Sequence, residues 1–439
     1  MKRSGSLCIL LTVLLTGSYG FLASPVAGQE QPQDHPAINY RQAVRHDAVA
    51  RLQERLERGE VKLDYAESGG WLQSVLKLLK VPVSSQGLVF SKTSFQLHRI
   101  SPRNPRAIYF NDEVYVGWVR GGDVLEVSAV DPQLGGVFYM LDQTKSEQPR
   151  FRRNDDCLQC HVSGNTRGVP GHLVRSVFPD DSGYPIAPLG SRVISQLNPL
   201  KERWGGWYVT GTHGAEKHLG NLLFTDKDNP DRITQTSGLN LTSLDQKVEL
   251  SGYLSPHSDI VALMVLEHQT QMHNLMTRLS YETRIALSQQ AAINKALGEP
   301  NEQLSDSTRR RIQNVADELL KYLLMVEEPK LQSPVKGTAD FAREFAAAGP
   351  FDKQGRSLRE LDLQQRLFRY PCSYLIYSEA FDALPKPALD YVYRRLWLVL
   401  TGQAMGQDFS RLTAADRAAV LEILRDTKKN LPDYFQKNK

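Results

Sequence analysis

The chain has 439 residues, 53 Lys and Arg against 49 Asp and Glu, and a formal net charge of +4. Charges so nearly balanced, with no basic block, argue against nucleic acid or lipid head groups as partners. The length exceeds one ordinary domain and points to two or three.

Lys2 and Arg3 precede an uncharged apolar run over 7–16 and then small residues, with Val26-Ala27-Gly28 as one cleavage site and Ser18-Tyr19-Gly20 as a second; residues 1–28 read as a secretory signal peptide. The run is short for a membrane span and is interrupted by Gly17, Gly20 and Pro25, with an uncleaved anchor as the alternative. Removing the signal lowers the charge from +4 to +2 and leaves about 410 residues. Cys8 leaves with it, so Cys157, Cys160 and Cys372 remain, an odd set unlike a disulfide framework. No later stretch offers eighteen uncharged apolar residues.

Residues 29–86 predict an N-terminal helical segment. Val44, Val49, Leu52 and Leu56 recur at helical spacing between Tyr40 and Gly59, and a second amphipathic run covers Trp71 to Lys80. Residues 87–255 predict a β-rich region. Short apolar runs at 88–90, 108–110, 114–119, 124–130 and 137–141 are punctuated by Asn111-Asp112, Gly121-Gly122-Asp123 and Gly135-Gly136, the pattern of an antiparallel meander. Two further strands are expected over 173–178 and 204–210. Residues 256–439 read as helical, with a long helix over 257–297, broken once at most, another over 305–327, and shorter ones between 339 and 428. The fold class is therefore α+β, a β-rich region followed by an all-α one.

Cys157-Leu158-Gln159-Cys160-His161 carries the chemistry. Two cysteines three residues apart share one face of a helical turn and can both form thioethers with porphyrin vinyl groups. The histidine that follows comes up beneath the ring as an axial iron ligand. Cys157 and Cys160 are thus expected to bind one haem c, with His161 as proximal ligand. A thioredoxin-like pair would open a helix after a strand in a βαβ unit, and a zinc site would need more cysteine than Cys372 supplies.

The distal ligand is open. No Met follows the motif before Met264, whereas His172, His213 and His218 do, with His257, His268 and His273 further along the chain. Met264, His268, Met272, Leu275 and Leu279 fall on one helical face, so His268 is the candidate sixth ligand, against the plainer reading of a core histidine. Arg167, Arg175 and Arg203 are candidates for the haem propionates, Trp204, Trp207 and Tyr208 for packing on the ring, and His213 and His218 with His257 or Glu267 for a second metal. Cys372 reads as a buried apolar thiol.

At these five residues and the export signal the chain resembles the c-type cytochromes of bacterial periplasms. The resemblance implies covalent haem c, attachment outside the cytoplasm and electron transfer with redox partner proteins. The chain departs from the small members of that group in its length, its β-rich region ahead of the motif and its lack of a nearby downstream Met. A mono-haem electron carrier is the first expectation. A peroxidase- or oxidase-like haem enzyme with an open distal site, or a haem-based ligand sensor, is the alternative.

Overall fold

Alternating apolar residues between 87 and 142 form the meander that their punctuation predicts. In a computed structural model describing residues 31–230, 236–300, 302–404 and 406–436, β1 (Gly87–Val89), β2 (Arg106–Phe110), β3 (Val114–Val119), β4 (Val124–Asp131), β5 (Gly135–Asp142) and β6 (Arg152–Arg153) pair antiparallel in chain order. The signal expected over 1–28 lies outside the described residues. β6 was not expected: its two arginines sit in a polar stretch without the apolar alternation that marks a strand.

Side chains of a strand alternate between the two faces, and here both faces are used. On one face Ala107, Tyr109, Val116, Trp118, Leu125 and Val127 share a core with Val49 and Leu52 of α1 (Ala48–Glu57) and Leu72 and Val75 of α2 (Leu72–Leu78). The helix expected from Tyr40 starts only at Ala48. Asp47 caps it by accepting from Val49 and Ala50 N–H at 2.9 and 3.0 Å, and Tyr139 of β5 donates to the same carboxylate at 2.5 Å. The opposite face is set by register: Ile108, Gly117, Glu126 and Met140 form one cross-strand row, and Tyr115, Ser128 and Phe138 the next.

After β6 the chain makes the short helix α3 (Leu158–His161), then the two-stranded ribbon of β7 (Val174–Val177) and β8 (Ser191–Ile194). The strand expected over 204–210 does not form. Trp204 and Gly206 take φ of +67° and +87°, which no strand accommodates, and only the single bridges Val89–Trp207 and Thr210–Asp259 remain.

The remainder is helical: α4 (Ile260–Leu297), α5 (Asp306–Leu323), α6 (Phe341–Ala347), α7 (Glu379–Asp382), α8 (Lys386–Leu400) and α9 (Ala414–Thr427). α4 runs unbroken for 38 residues, from the Asp259 cap to Gly298 at φ +71°. Its residues from Ile260 to Leu279 contribute to the helical core, which takes in α5, α8 and α9, while Tyr281 and Ile285 reach the core under the sheet. The chain is α+β as its patterning predicts. Among the described residues no helix is long and apolar enough to cross a membrane.

Candidate cofactor site

The motif is held by local polar contacts at both ends. Asn154 accepts from Asp156 N–H at 3.0 Å, and Asp155 pairs with Arg153 at 2.7 Å and Arg41 at 3.2 Å. The helical turn of α3 then puts Cys157, half-buried, and Cys160, exposed, beside His161, and the two thiols are not joined in a disulfide. Burial, more than the nearby Glu126, pushes the Cys157 thiol up to about 12.

His161 is fixed by a reciprocal pair with Gly171. Gly171 N–H donates to His161 C=O at 3.0 Å, and His161 Nδ1 meets Gly171 C=O at 2.7 Å. A carbonyl only accepts, so Nδ1 carries the proton and Nε2 keeps its lone pair, with no hydrogen bond to it among the described residues. Burial draws this imidazole below its usual pKa, while the bond to Gly171 opposes the shift. The next residue is clamped too: Asn274 of α4 accepts from His172 N–H at 2.9 Å and donates to His172 C=O at 2.7 Å. Residue 171 must be glycine for this, because a Cβ there would lie 2.2 Å from the Asn274 Oδ1.

Cys157, Cys160 and His161 open onto a cavity of about 450 Å3 whose floor is the second face of the sheet, with Ile108, Gly117, Glu126, Ser128, Phe138 and Met140. Such a volume lies within the range of small-molecule and cofactor sites. Phe138 packs on His161 with ring centroids 4.6 Å apart. Arg106, Arg175 and Lys92 bring positive charge to the walls. Arg106 pairs with Glu126 at 2.5 Å, yet among the described residues its buried Nε has no partner. A smaller inner cavity of about 130 Å3 shares His161, Tyr115, Ser128, Arg106 and Arg175 and is lined further by His172 and Trp207.

His172 stands 6.4 Å from His161 by ring centroid and stacks on Tyr115 at 4.3 Å. Its Nε2 meets Ser128 Oγ at 2.9 Å, its Nδ1 has no partner among the described residues, and burial holds its pKa well below the ordinary value.

The candidates named from sequence divide sharply. His268 is not at this cavity: Gln196 and Ser373 occupy its two ring nitrogens, and Tyr322, Phe368 and Tyr374 surround it. The reason is that α4 is buried around its whole circumference between Ile260 and Leu279, so a shared apolar face selects no direction there. Of the three arginines only Arg175 faces the cavity. Arg167 pairs with Glu318, and Arg203 forms a buried pair with Glu267. Trp207 lines the inner cavity, whereas Trp204 packs on His218 and Tyr208 on Phe90. His213 and His218 do meet, at 4.8 Å, but each spends a ring lone pair on a backbone N–H, of Asn240 and Gly220 respectively. Glu267 is committed to Arg203, and among the described residues no three His, Cys, Asp or Glu side chains converge to hold a metal ion. Cys372 is buried as expected. Arg106 was missed; it lies two residues ahead of the apolar run expected over 108–110 and in phase with Ile108, which was the available signal. Comparison with protein-family models, curated proteins and solved structures returns no match.

Proposed function

We propose that the protein is an exported mono-haem c-type cytochrome that passes electrons between partner proteins. One haem c is held through thioethers from Cys157 and Cys160, with His161 Nε2 on the iron. The His161–Gly171 pair carries this reading. A haem-ligating imidazole ordinarily donates its other N–H to a fixed acceptor, which sets the tautomer and raises ligand basicity, and His161 has that acceptor at 2.7 Å. When bound, the haem supplies a one-electron couple, and the protein's part is to hold it and tune it.

The other residues suit that task. Ile108, Phe138 and Met140 offer an apolar bed, and Arg106, Arg175 and Lys92 offer counter-charges for propionates, the orphaned Arg106 Nε among them. Phe95 and Leu97 at the cavity wall are 53% and 40% exposed, an apolar edge on which a redox partner can dock in the periplasm. Produced in a host with haem c maturation, the mature polypeptide is expected to gain the mass of one haem and to lose both free thiols of the motif. The unmodified mass from such a host would end this reading.

A second reading, a haem c oxidoreductase with an open sixth position, draws on His172, which lines the inner cavity and whose Nδ1 has no partner among the described residues. Visible spectra with added cyanide or carbon monoxide separate the two. Spectra indifferent to both ligands favour the carrier, and rapid uptake favours the enzyme.

A further inference from the structure

A second cavity of about 410 Å3 opens between the β2–β3 turn, α6 and α4. Phe110, Phe341 and Phe345 form its apolar walls, and Lys80, Asp112, Glu113 and Glu344 stand around it. Arg359 belongs to the same lining, and its side chain is only 10% exposed. The guanidinium is clamped over Phe345 and Tyr374 at 4.9 and 4.4 Å; its Nε donates to Gly349 C=O and its Nη2 pairs with Asp112. Nη1 makes no hydrogen bond among the described residues, so a fixed donor on a side chain that lines the cavity is left for something in it.

The charges define the class of ligand. Three carboxylates against Lys80 and Arg359 oppose an anion, and the free guanidinium N–H opposes a cation. A neutral aromatic ring carrying an oxygen acceptor satisfies the phenylalanine walls and Nη1 together.

The cavity also lies next to the motif. Gln269, part of its lining, donates to Tyr115 OH at 2.9 Å, and Tyr115 lines both cavities at His161. Tyr374 OH donates to Gln269 Oε1 at 2.7 Å and Tyr115 OH meets His273 Nδ1 at 2.9 Å, so the connection is rigid. One amide and one phenol ring separate the two sites.

We propose that the cavity at Arg359 binds a small neutral phenol or hydroquinone and is a point of electron entry to the haem, the latter resting on the function proposed above. The hydroxyl gives up one electron and one proton: Gln269 and Tyr115 pass the electron toward the haem that Cys157, Cys160 and His161 would hold and that in its ferric form would accept it, the proton leaves to solvent at the carboxylate-lined mouth, and the aryloxyl product departs. A redox partner then re-oxidises the haem.

Phenol binding to the oxidised holoprotein by calorimetry tests the site without any haem chemistry. Ala348 is exposed at the cavity edge, so Ala348→Trp fills the space without disturbing the core. Saturable binding in the wild type, weakened at least tenfold in this variant, is expected. Absence of binding, or binding indifferent to Ala348→Trp, overturns the site even where the haem is proved present. Electron entry is read by stopped-flow reduction of the haem with hydroquinone. Tyr115→Phe, which keeps the ring and removes the hydroxyl, is expected to lower the rate of hydroquinone reduction at saturating hydroquinone, taken relative to dithionite reduction of the same variant, about tenfold. A wild-type hydroquinone rate in Tyr115→Phe overturns the route.

Discussion

Whether a histidine can bind iron is decided by what its two nitrogens already hold. His161 gives one to Gly171 and keeps the other, whereas His268 gives one to Gln196 and one to Ser373. His268→Ala is therefore expected to leave the visible spectrum of the holoprotein unchanged. It should lower stability in urea by about 2–4 kcal/mol, from the cavity and the two partners left unpaired. A change from six- to five-coordinate iron in that variant would return His268 to the distal position. Gly171→Ala acts on the other side of the comparison. Its methyl displaces Asn274 from the His172 backbone, at about 1–3 kcal/mol for the orphaned groups. Because the same residue anchors His161, the variant should also carry less haem per polypeptide, measured by haemochrome absorbance. Full haem loading would show that the clamp is not needed for attachment.

Among the elements, α4 joins the two halves of the molecule, and its start rests on one side chain. Asp259 is fully buried and accepts four backbone N–H bonds, from Val261 and Ala262 of the helix and from Thr338 and Ala339 of the segment leading to α6, at 2.6–3.1 Å. Asp259→Ala removes the cap, worth about 1 kcal/mol, and strands two more buried donors at about 1–3 kcal/mol each. A loss of about 3–7 kcal/mol in denaturant unfolding is expected, with Asp259→Asn closer to wild type; a loss under 1 kcal/mol would show that water replaces the carboxylate. Elements of this kind were legible in sequence where period and punctuation agreed. The meander strands emerged because turn residues bound each apolar run, and α4 because its spacing persists for ten turns. Trp204 to Thr210 misled because composition reports burial, whereas the positive φ at Trp204 is a backbone fact that aromatic residues do not announce. The motif was legible as chemistry, since covalent spacing is local. Its surroundings were not: Gly171, Asn274, Arg106 and Tyr115 reach the site through the sheet and α4, and no local pattern encodes that convergence.

At the scale of the whole molecule, buried histidines and buried glutamates set opposing responses to acid. Burial, before any other cause, lowers His218, His268 and His273 to about 3. In the unfolded chain these imidazoles take up protons near pH 6.5, and in the fold they do not, so stability falls as pH drops below 6.5 and is unaffected by them above it. Burial also raises fully buried Glu267 and half-buried Glu328 to about 7. Their sign is reversed: the fold takes up their protons first, so stability rises as pH falls from 7 to 4.5 and gains nothing further below. Between 6.5 and 4.5 the losses from these histidines, with His172 added to them, outnumber the two gains, so stability declines with falling pH; below 4.5 the gains end and the decline steepens. A plot of unfolding free energy against pH should therefore bend near 4.5. Glu328→Gln keeps an acceptor for Leu367 N–H, at 2.8 Å in the wild type, and removes one of the two gains. That variant should be more stable than wild type at pH 8 and lose its advantage by pH 4.5, with the intermediate slope steepened by about 1.4 kcal/mol per unit. Parallel curves for the two proteins across this range would show that Glu328 ionises as freely in the fold as in the unfolded chain.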